Sequence, residues 1–278
     1  MGQQKRDEIS LWRDSQLHGG MEILQATCYE HSYPPHFHDE FVIAAFARGA
    51  QRTRVCRQNG IAAAGSVMII APGEVHTGEA VQRDEGWDYC AFYPGEKLIN
   101  EVAQTVLSGK GDVNFGLQGI RHDPLMARGM LHAASVMKQS HDPLEKECVM
   151  YQILNVLVGH YGERTVKGSR QSVLRADIRK AIAFLHSAYA QPLTVKEIAQ
   201  VAGLSEFYFM RTFQKMTGLS VHQYLTQIRL MRAKGLLARG MGAAQVASDI
   251  GFFDQSHLIK QFRAHFGTTP GMFAAASM

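Results

Sequence analysis

The stretch HFHDEF, residues 36–41, brings two imidazoles and a carboxylate together at alternate positions. If the stretch is a β-strand, His36, His38 and Glu40 project from one face, because side chains alternate along a strand. A second stretch, GSVMIIAPGEVH at 65–76, adds Glu74 and His76. Imidazoles and carboxylates bind metal ions and hydrogen-bond organic ligands. The chemistry expected of these five residues is metal binding, small-molecule binding or a purely structural set of hydrogen bonds.

Short apolar runs surround these residues. FVIAAFA at 41–47 and SVMIIA at 66–71 have the length of strands, and turn signals such as YPPH, RQNG, APGE and YPGE stand between the runs. Several short strands joined by tight turns indicate a sandwich or a small barrel. The 46% hydrophobic and 19% charged content is that of a globular protein. The first half is therefore expected to be a β-domain with a packed core.

From Leu125 onward the apolar residues recur at helical spacing. Two stripes are predicted, and their members are Met126, Met130, Leu131, Ala134 and Met137, then Val149, Met150, Ile153, Leu154 and Leu157. Two interpretations stay open: both helices cover the barrel, or one of them pairs with its copy in a second chain. GERTVKGSRQS at 162–172 is polar and basic and is predicted to be a linker, which gives domains at 1–161 and 173–278.

The two halves differ in charge. Residues 163–278 contain 15 Lys and Arg against 6 Asp and Glu, a net charge of +9, whereas residues 1–162 have a net charge of −5. A basic domain next to an acidic one suggests that the second half faces a polyanion. The start of the chain has no export signal, no segment is apolar enough for a membrane span, and the four cysteines are widely spaced. We expect a cytoplasmic protein without a thiolate zinc site.

A segment of the basic half occurs twice. IAQVAGL at 198–204 aligns with VASDIGF at 246–252, and the match continues into the segments that follow. Each copy has the pattern of a helix-turn-helix: a short helix with a small Ala inside, a Gly where the chain turns, then a second helix. Ser205 and Asp254 are the candidate N-caps of the second helices.

The second helix of each copy is predicted to bury one face. Phe209 and Phe213 in the first copy, and Leu258, Phe262 and Phe266 in the second, are expected to pack in the core. Polar and basic residues on the opposite faces are suited to DNA, since Arg, Lys and Gln reach base edges and phosphates. The duplication, together with the positive charge, favours a DNA-binding role over a chance pattern.

Two long motifs fill the basic half: LTVKEIAQVAGLSEFYFMRTFQKMTGLSVHQYL from 193 and VASDIGFFDQSHLIKQFRAHFGTTPGMF at 246–273. Over roughly residues 173–273 the sequence resembles the AraC/XylS family of bacterial transcription regulators. The resemblance implies seven helices and two recognition helices that enter successive major grooves about 34 Å apart. By position it assigns DNA contacts to Phe207, Met210, Arg211, Gln255, Ser256 and Lys260. Met210 is apolar where the family often has a polar residue.

The first half, through HFHDEF and GSVMIIAPGEVH, resembles the cupin-like sensor domain that often precedes this DNA-binding unit. Enzymatic cupins bind metal through H-x-H, a Glu a few residues later and a third His. Here Glu40 follows His38 too soon, and Val42 or Ile43 stands where the Glu is expected. The resemblance implies a sugar, amino acid or aromatic acid as effector, bound by His36, His38, Glu40, Glu74 and His76. No cofactor is expected, and a metal ion at the three histidines remains the alternative.

The expected fold class is α+β with two domains, an N-terminal cupin-like β-barrel with covering helices and a C-terminal all-α domain with two helix-turn-helix units. The expected function is a ligand-responsive, sequence-specific transcription activator and not an enzyme. Its expected partners are double-stranded DNA, a small-molecule effector, a second copy of the chain and RNA polymerase, with no membrane. The alternatives are a metal-dependent cupin enzyme or metal sensor fused to a DNA-binding domain, and a constitutive architectural DNA-binding protein.

Overall fold

A computed structural model describes residues 6–17, 20–55, 58–108, 111–116, 119–165 and 176–277. The chain divides into two compact units, Met1–Ser169 and Arg170–Ala276. Among the described residues, no helix combines the length and the apolar character that crossing a bilayer requires.

The first unit contains strands and three helices. The strands are β1 Glu8–Asp14, β2 Met21–Cys28, β3 Tyr33–His36, β4 Val42–Val55, β5 Gln58–Ala63, β6 Ser66–Ile70, β7 His76–Ala80, β8 Trp87–Tyr93, β9 Asp112–Asn114, β10 Ile120–His122 and β11 Glu163–Thr165. The helices are α1 Glu96–Val106, α2 Pro124–Gln139 and α3 Pro143–Tyr161. The apolar runs predicted as strands form the start of β4 and all of β6.

Strand β4 organises the sheet because it belongs to two arrays. Its first half pairs with β6 and β8, and its second half pairs with β5 and β7. The order β1-β2-β8-β4-β6-β10 continues on one side, and β3 pairs with β7 on the other. Neighbouring strands are antiparallel, so hairpin-like connections suffice. This sheet-rich unit agrees with the predicted cupin-like domain.

Helices α2 and α3 pack on this sheet through the two predicted apolar stripes. Both begin alike, with an Asp whose side chain accepts a backbone hydrogen bond and a Pro at the first helical turn. The stripe residues Met126, Met130, Ala134, Met137, Met150, Leu154 and Leu157 are buried in the same core as β2, β4, β6 and β8, with Leu131, Val149 and Ile153 packed partly against it. The covering interpretation is confirmed. Pairing of one of these helices with its copy in a second chain stays a prediction, and it would have to use a helix face other than the buried stripe.

Of the segment predicted as a linker, residues 166–172 lie outside the described part of the chain. Its start is ordered as β11, which pairs with β9 of the first unit. Gly162 ends α3 just before this strand.

The described part of the second unit contains seven helices. They are α4 Ala176–Ala188, α5 Val195–Ala202, α6 Glu206–Thr217, α7 Val221–Leu237, α8 Ala243–Asp249, α9 Gln255–Phe266 and α10 Pro270–Ala276. Helices α5 and α7 begin with a capping box, in which Thr194 and Ser220 exchange hydrogen bonds with the residue three positions later. The all-helical second unit agrees with the fold class predicted from the repeat.

Candidate functional site

Three buried histidines meet between β3 and β7. His36 is the last residue of β3, and His76, the first residue of β7, is its opposite partner. His38 follows β3, and its carbonyl accepts a hydrogen bond of 2.8 Å from the Gly73 N–H. One nitrogen from each ring lies within 4.8 Å of the other two, and the side chains are about equally buried. Two strands and one loop therefore bring the three histidines predicted from the sequence together.

The carboxylates predicted with them lie outside this cluster. The expectation that HFHDEF is one strand is wrong beyond His36, because β3 ends at His36 and the next strand, β4, begins at Val42. The Phe41 N–H donates to the Pro94 carbonyl at 3.0 Å. Strand alternation therefore does not place Glu40 beside the histidines. Glu74 instead accepts a 3.4 Å hydrogen bond from the Ala71 N–H.

Backbone carbonyls determine the tautomers of two rings. The Nδ1 of His36 lies 2.7 Å from the Pro34 carbonyl oxygen, and the Nδ1 of His76 lies 2.9 Å from the Glu74 carbonyl oxygen. A carbonyl oxygen only accepts, so Nδ1 bears the proton and Nε2 bears the lone pair. Burial lowers the pKa of His76 to about 4, against the opposing effect of the Glu74 carbonyl. His76 is therefore a neutral imidazole at neutral pH.

Aromatic rings continue from the histidines into the sheet. Tyr33 lies 6.0 Å from His36 and 6.4 Å from Tyr89 between ring centroids, and Tyr89 lies 6.3 Å from Trp87. The Nε1 of the fully buried Trp87 has no hydrogen-bond acceptor among the described residues. Trp87, Tyr89 and Tyr93 stand at alternating positions of β8, and this spacing is the signal in the sequence that could have indicated a shared aromatic face. The arrangement suits a metal ion or an organic ligand with a planar or apolar part.

Both predicted helix-turn-helix motifs are present in the C-terminal unit of the chain. Gly203 and Gly251 make the turns with φ of +70° and +81°, a conformation that favours glycine. Ser205 and Asp254 are the N-caps of α6 and α9, as predicted. The Asp254 carboxylate accepts a 2.7 Å hydrogen bond from a backbone N–H of the first turn. The Ser205 side chain makes no such hydrogen bond, so the predicted side-chain cap is present at α9 and absent at α6.

Helices α6 and α9, the second helix of each helix-turn-helix, have one buried face and one exposed face. The predicted core residues Phe209, Phe213, Leu258, Phe262 and Phe266 are all buried. The six residues expected to contact DNA, Phe207, Met210, Arg211, Gln255, Ser256 and Lys260, are all exposed. Two exposed aromatic residues beside them were not predicted. Tyr208 is 46% exposed, and Phe253, directly before the α9 N-cap, is 93% exposed.

Helix α7 joins the two helix-turn-helix units. The Arg229 guanidinium donates to the Tyr189 carbonyl at 2.8 Å and to the Gln191 carbonyl at 3.2 Å, which ties α7 to the segment between α4 and α5. Five residues after Arg229, in the last turn of α7, the Lys234 ammonium lies 5.0 Å from the centroid of the Phe266 ring of α9. Helix α7 therefore contacts both helix-turn-helix motifs.

Within the C-terminal unit, the turn between α8 and α9 also packs directly against the segment between α4 and α5. A Cβ atom on Gly251 would lie 2.6 Å from the Ala190 carbonyl oxygen, so only glycine fits here without a backbone shift. The positive φ of Gly251 requires the same residue type. The close approach holds the turn that precedes α9 next to the segment that leads into α5.

Comparison with known proteins agrees with both halves. The family model of an AraC-like ligand binding domain matches residues 18–154, and that of a helix-turn-helix domain matches residues 198–276. The uncharacterized HTH-type transcriptional regulator YbfI of Bacillus subtilis is 27% identical over 252 residues, 90% of this chain and 89% of that protein. The Msm operon regulatory protein of Streptococcus mutans is 24% identical and covers 87% of each chain.

Solved structures show the same two-unit fold. Apo ToxT from Vibrio cholerae matches with a TM-score of 0.57 and 12% identity over 99% of both chains. ToxT bound to an unsaturated fatty acid matches with a TM-score of 0.55 and 13% identity over 95% of this chain and 93% of that one. The relatives are transcriptional regulators, a class of DNA-binding proteins that are not enzymes. With a histidine cluster inside the matched ligand-binding domain and both recognition helices inside the matched helix-turn-helix domain, the chain belongs to the AraC-type transcriptional regulators.

Proposed function

We propose that this regulator reads its operator through the exposed faces of α6 and α9. The proposed contacts are made by Phe207, Met210, Arg211, Gln255, Ser256 and Lys260. The observation that carries the proposal is their joint exposure on two helices whose opposite faces are buried by phenylalanines and a leucine. Arg, Lys and Gln side chains reach base edges or phosphates, whereas the apolar Phe207 and Met210 are suited to thymine methyl groups.

The contacts between the two helix-turn-helix units support an asymmetric operator. Because α7 packs against both α6 and α9, the two helices are proposed to enter successive major grooves about 34 Å apart. The two helices carry different exposed residues, so each half of the site has its own sequence. One chain then recognises a site that is not a palindrome.

Replacing Arg211 by Ala is expected to weaken binding to the preferred duplex by about 1–3 kcal/mol and to relax the preference at one base pair. The reason is that a guanidinium bound to both acceptors of a guanine discriminates against the other bases. The duplex is selected from a random-sequence pool with the wild-type protein. Its binding is measured by fluorescence anisotropy, together with every single-base variant of that duplex.

The matched control is Arg211→Lys, which keeps the charge and loses the planar, two-pronged donor set. We expect Arg211→Lys to lose the same base preference while keeping more of the affinity than Arg211→Ala. If Arg211→Ala weakens all duplexes equally and Arg211→Lys restores them equally, Arg211 contacts phosphate and base recognition through this residue is wrong.

A small-molecule effector is proposed to bind in the first unit at His36, His38, Glu40, Glu74 and His76. The support is the convergence of three buried imidazoles beside an aromatic face inside the segment that matches a ligand-binding domain. Glu40 and Glu74 each stand two residues from a histidine of the cluster. ToxT, which shares the fold, is bound to a fatty acid in one of its structures. Sugars, amino acids and aromatic acids are the classes to screen.

The response is proposed to be activation, through contact with RNA polymerase at a promoter in the cytoplasm, where the target DNA is. The rival, a constitutive architectural DNA-binding protein, would give the same reporter output with and without every compound in the screen.

A homodimer is proposed to form through the outer face of α3. Leu144 and Val156 of this helix are 67% and 57% exposed, and Tyr151 is also exposed. Their helix buries its other face against the sheet, so the outer face is the one that a second copy is able to contact. Exposed apolar residues on a helix favour such contacts.

Val156→Glu is expected to shift the protein from dimer towards monomer without lowering its melting temperature, because the new charge lies in the interface and outside the core. Sedimentation velocity measures the shift. Ile61→Glu places the same charge at another exposed apolar site, in β5, and is expected to leave the dimer intact. Leu157→Ala, in contrast, is expected to cost about 2–5 kcal/mol of stability because Leu157 is core. A monomeric wild type, or an unchanged dimer in Val156→Glu, would contradict the proposed interface.

A further inference from the structure

The cluster of His36, His38 and His76 has the composition of a metal site. Its centroid-to-centroid ring separations are 4.2 Å for His36–His76, 5.0 Å for His36–His38 and 5.3 Å for His38–His76. Each side chain is 5–6% exposed. Grouping three imidazoles out of water costs desolvation free energy, which a common ligand that uses their nitrogens would offset.

Two of the rings are preset for coordination. His36 and His76 each bond through Nδ1 to the carbonyl two residues earlier in the chain, and this repeated arrangement leaves Nε2 as the unprotonated nitrogen. Metal-bound histidines characteristically bond through their second nitrogen to a carbonyl or a carboxylate, which fixes the tautomer and the ring orientation. The backbone of β3 and β7 supplies that support here.

To coordinate one metal ion, the three imidazole rings have to move slightly closer together. Bonds of about 2.0–2.1 Å in a tetrahedral site place neighbouring nitrogens about 3.3 Å apart. The ligand nitrogens lie within 4.8 Å of one another, so the rings have to approach by about 1.5 Å at most, which is within reach of side-chain torsions. The anchoring strands are already paired at His36 and His76. The backbone therefore needs no rearrangement to complete the site.

We propose that His36, His38 and His76 bind one divalent first-row transition-metal ion, which offers a coordination position to an oxygen of the effector. This deepens the proposed effector site and rests on the proposed function. Three imidazoles without a carboxylate or thiolate in the cluster select a borderline ion such as Zn²⁺, and three protein ligands leave one tetrahedral position open.

The charge of the site decides between a metal and a directly bound anion. A carboxylate buried at this site needs hydrogen bonds or a positive charge to offset its desolvation. A divalent ion supplies the missing positive charge. The effector class that follows is a small molecule with a carboxylate or a similarly basic oxygen. The sequence pattern alone favoured a site without a metal, because it lacked the carboxylate of enzymatic cupins; the geometry of the three histidines reverses that preference.

The test measures metal on untagged, full-length protein free of effector and DNA. After incubation with Zn²⁺ and removal of the excess, plasma mass spectrometry is expected to find one ion per chain in the wild type. His38→Ala and His76→Ala are expected to lose it, whereas His132→Ala, an exposed histidine of α2, is expected to keep it. His76→Phe retains the volume of the ring and removes its nitrogens, so it tests the site even if His76→Ala does not fold. Wild-type protein without bound Zn²⁺, or cluster variants that keep it, would overturn the proposal.

A Co²⁺-loaded wild type provides a second readout. We expect the intense visible bands of tetrahedral Co²⁺, absent from His76→Phe, and a spectral change when acetate is added as a minimal carboxylate. Bands that do not respond to acetate would contradict the open position. Metal content and spectra are measured without transcription, so their failure leaves the proposed regulator in place. Conversely, a metal-bound protein whose reporter response does not change in the cluster variants would refute the effector site and keep the metal.

Discussion

Raising the salt concentration from about 50 to about 200 mM is expected to weaken operator binding by about 10³- to 10⁵-fold, for roughly six to ten neutralised phosphates. Each Lys or Arg that pairs with a phosphate releases condensed counterions, and added salt opposes this release. The second half of the chain has the required excess of positive charge, with 15 Lys and Arg against 6 Asp and Glu in residues 163–278. Fluorescence anisotropy on the selected duplex, at several salt concentrations, measures the slope.

Single charge removals show where the phosphates are bound. Lys260→Gln, on the exposed face of α9, is expected to reduce the slope by about one if it contacts phosphate. Lys138→Gln, exposed on α2 of the first unit, removes the same charge and is expected to leave the slope unchanged. Binding that is nearly insensitive to salt would contradict the assignment of the basic second unit to DNA.

The double variant His36→Ala/His38→Ala is expected to lose the transcriptional response to the effector entirely. One buried ligand group left without its partner costs about 1–3 kcal/mol, so losing two is expected to weaken effector binding by more than about 100-fold. Operator affinity without effector is expected to stay near that of the wild type, because the DNA-contacting residues lie in the other unit. A reporter strain is assayed with the compound that gives the largest response in a screen of sugars, amino acids and aromatic acids.

Two controls separate this loss from unfolding. His36→Phe/His38→Phe fills the space of both rings without their nitrogens, and it is expected to lose the response while melting close to the wild type. His122→Ala removes an exposed histidine of β10 in the same unit and is expected to respond normally. A purely structural role makes the opposite forecast, with early melting in the Ala variant and a normal response in the Phe variant. A stable variant with an unimpaired response would remove these histidines from the effector site.

The helix-turn-helix units were predictable from the sequence because their signals are local. The glycine turns, the caps at Ser205 and Asp254 and the buried spacing of Phe209 and Phe213 each depend on residues within one or two helical turns. The exposure of Phe253 was not predicted, because a residue before an N-cap has no helical period to place it.

In the first unit, the arrangement of the three histidines was not predictable from the sequence. The pattern H-x-H suggested His36 and His38, but the ring that lies closest to His36 is His76, and this pairing depends on the register of β3 against β7. Register is set by long-range packing, which a single sequence does not specify. For the same reason Glu40 was expected beside the histidines, since nothing local showed that the strand ends at His36. The apolar stripe of α3 likewise did not reveal whether a sheet or a second chain covers it.

The close packing of Gly251 against the Ala190 carbonyl ties the turn before α9 to the segment before α5, and together with the proposed DNA contacts it would give the regulator a direction along DNA. Two unlike helices in one fixed arrangement meet an operator in a single order, so a site and its inverse are not equivalent to one bound chain. Inverting the operator would turn the protein end for end relative to the start of transcription. Inserting one base pair between the two half-sites would rotate them apart by about a tenth of a helical turn. We expect this mismatch to weaken binding, because α6 and α9 would no longer face both half-sites at once.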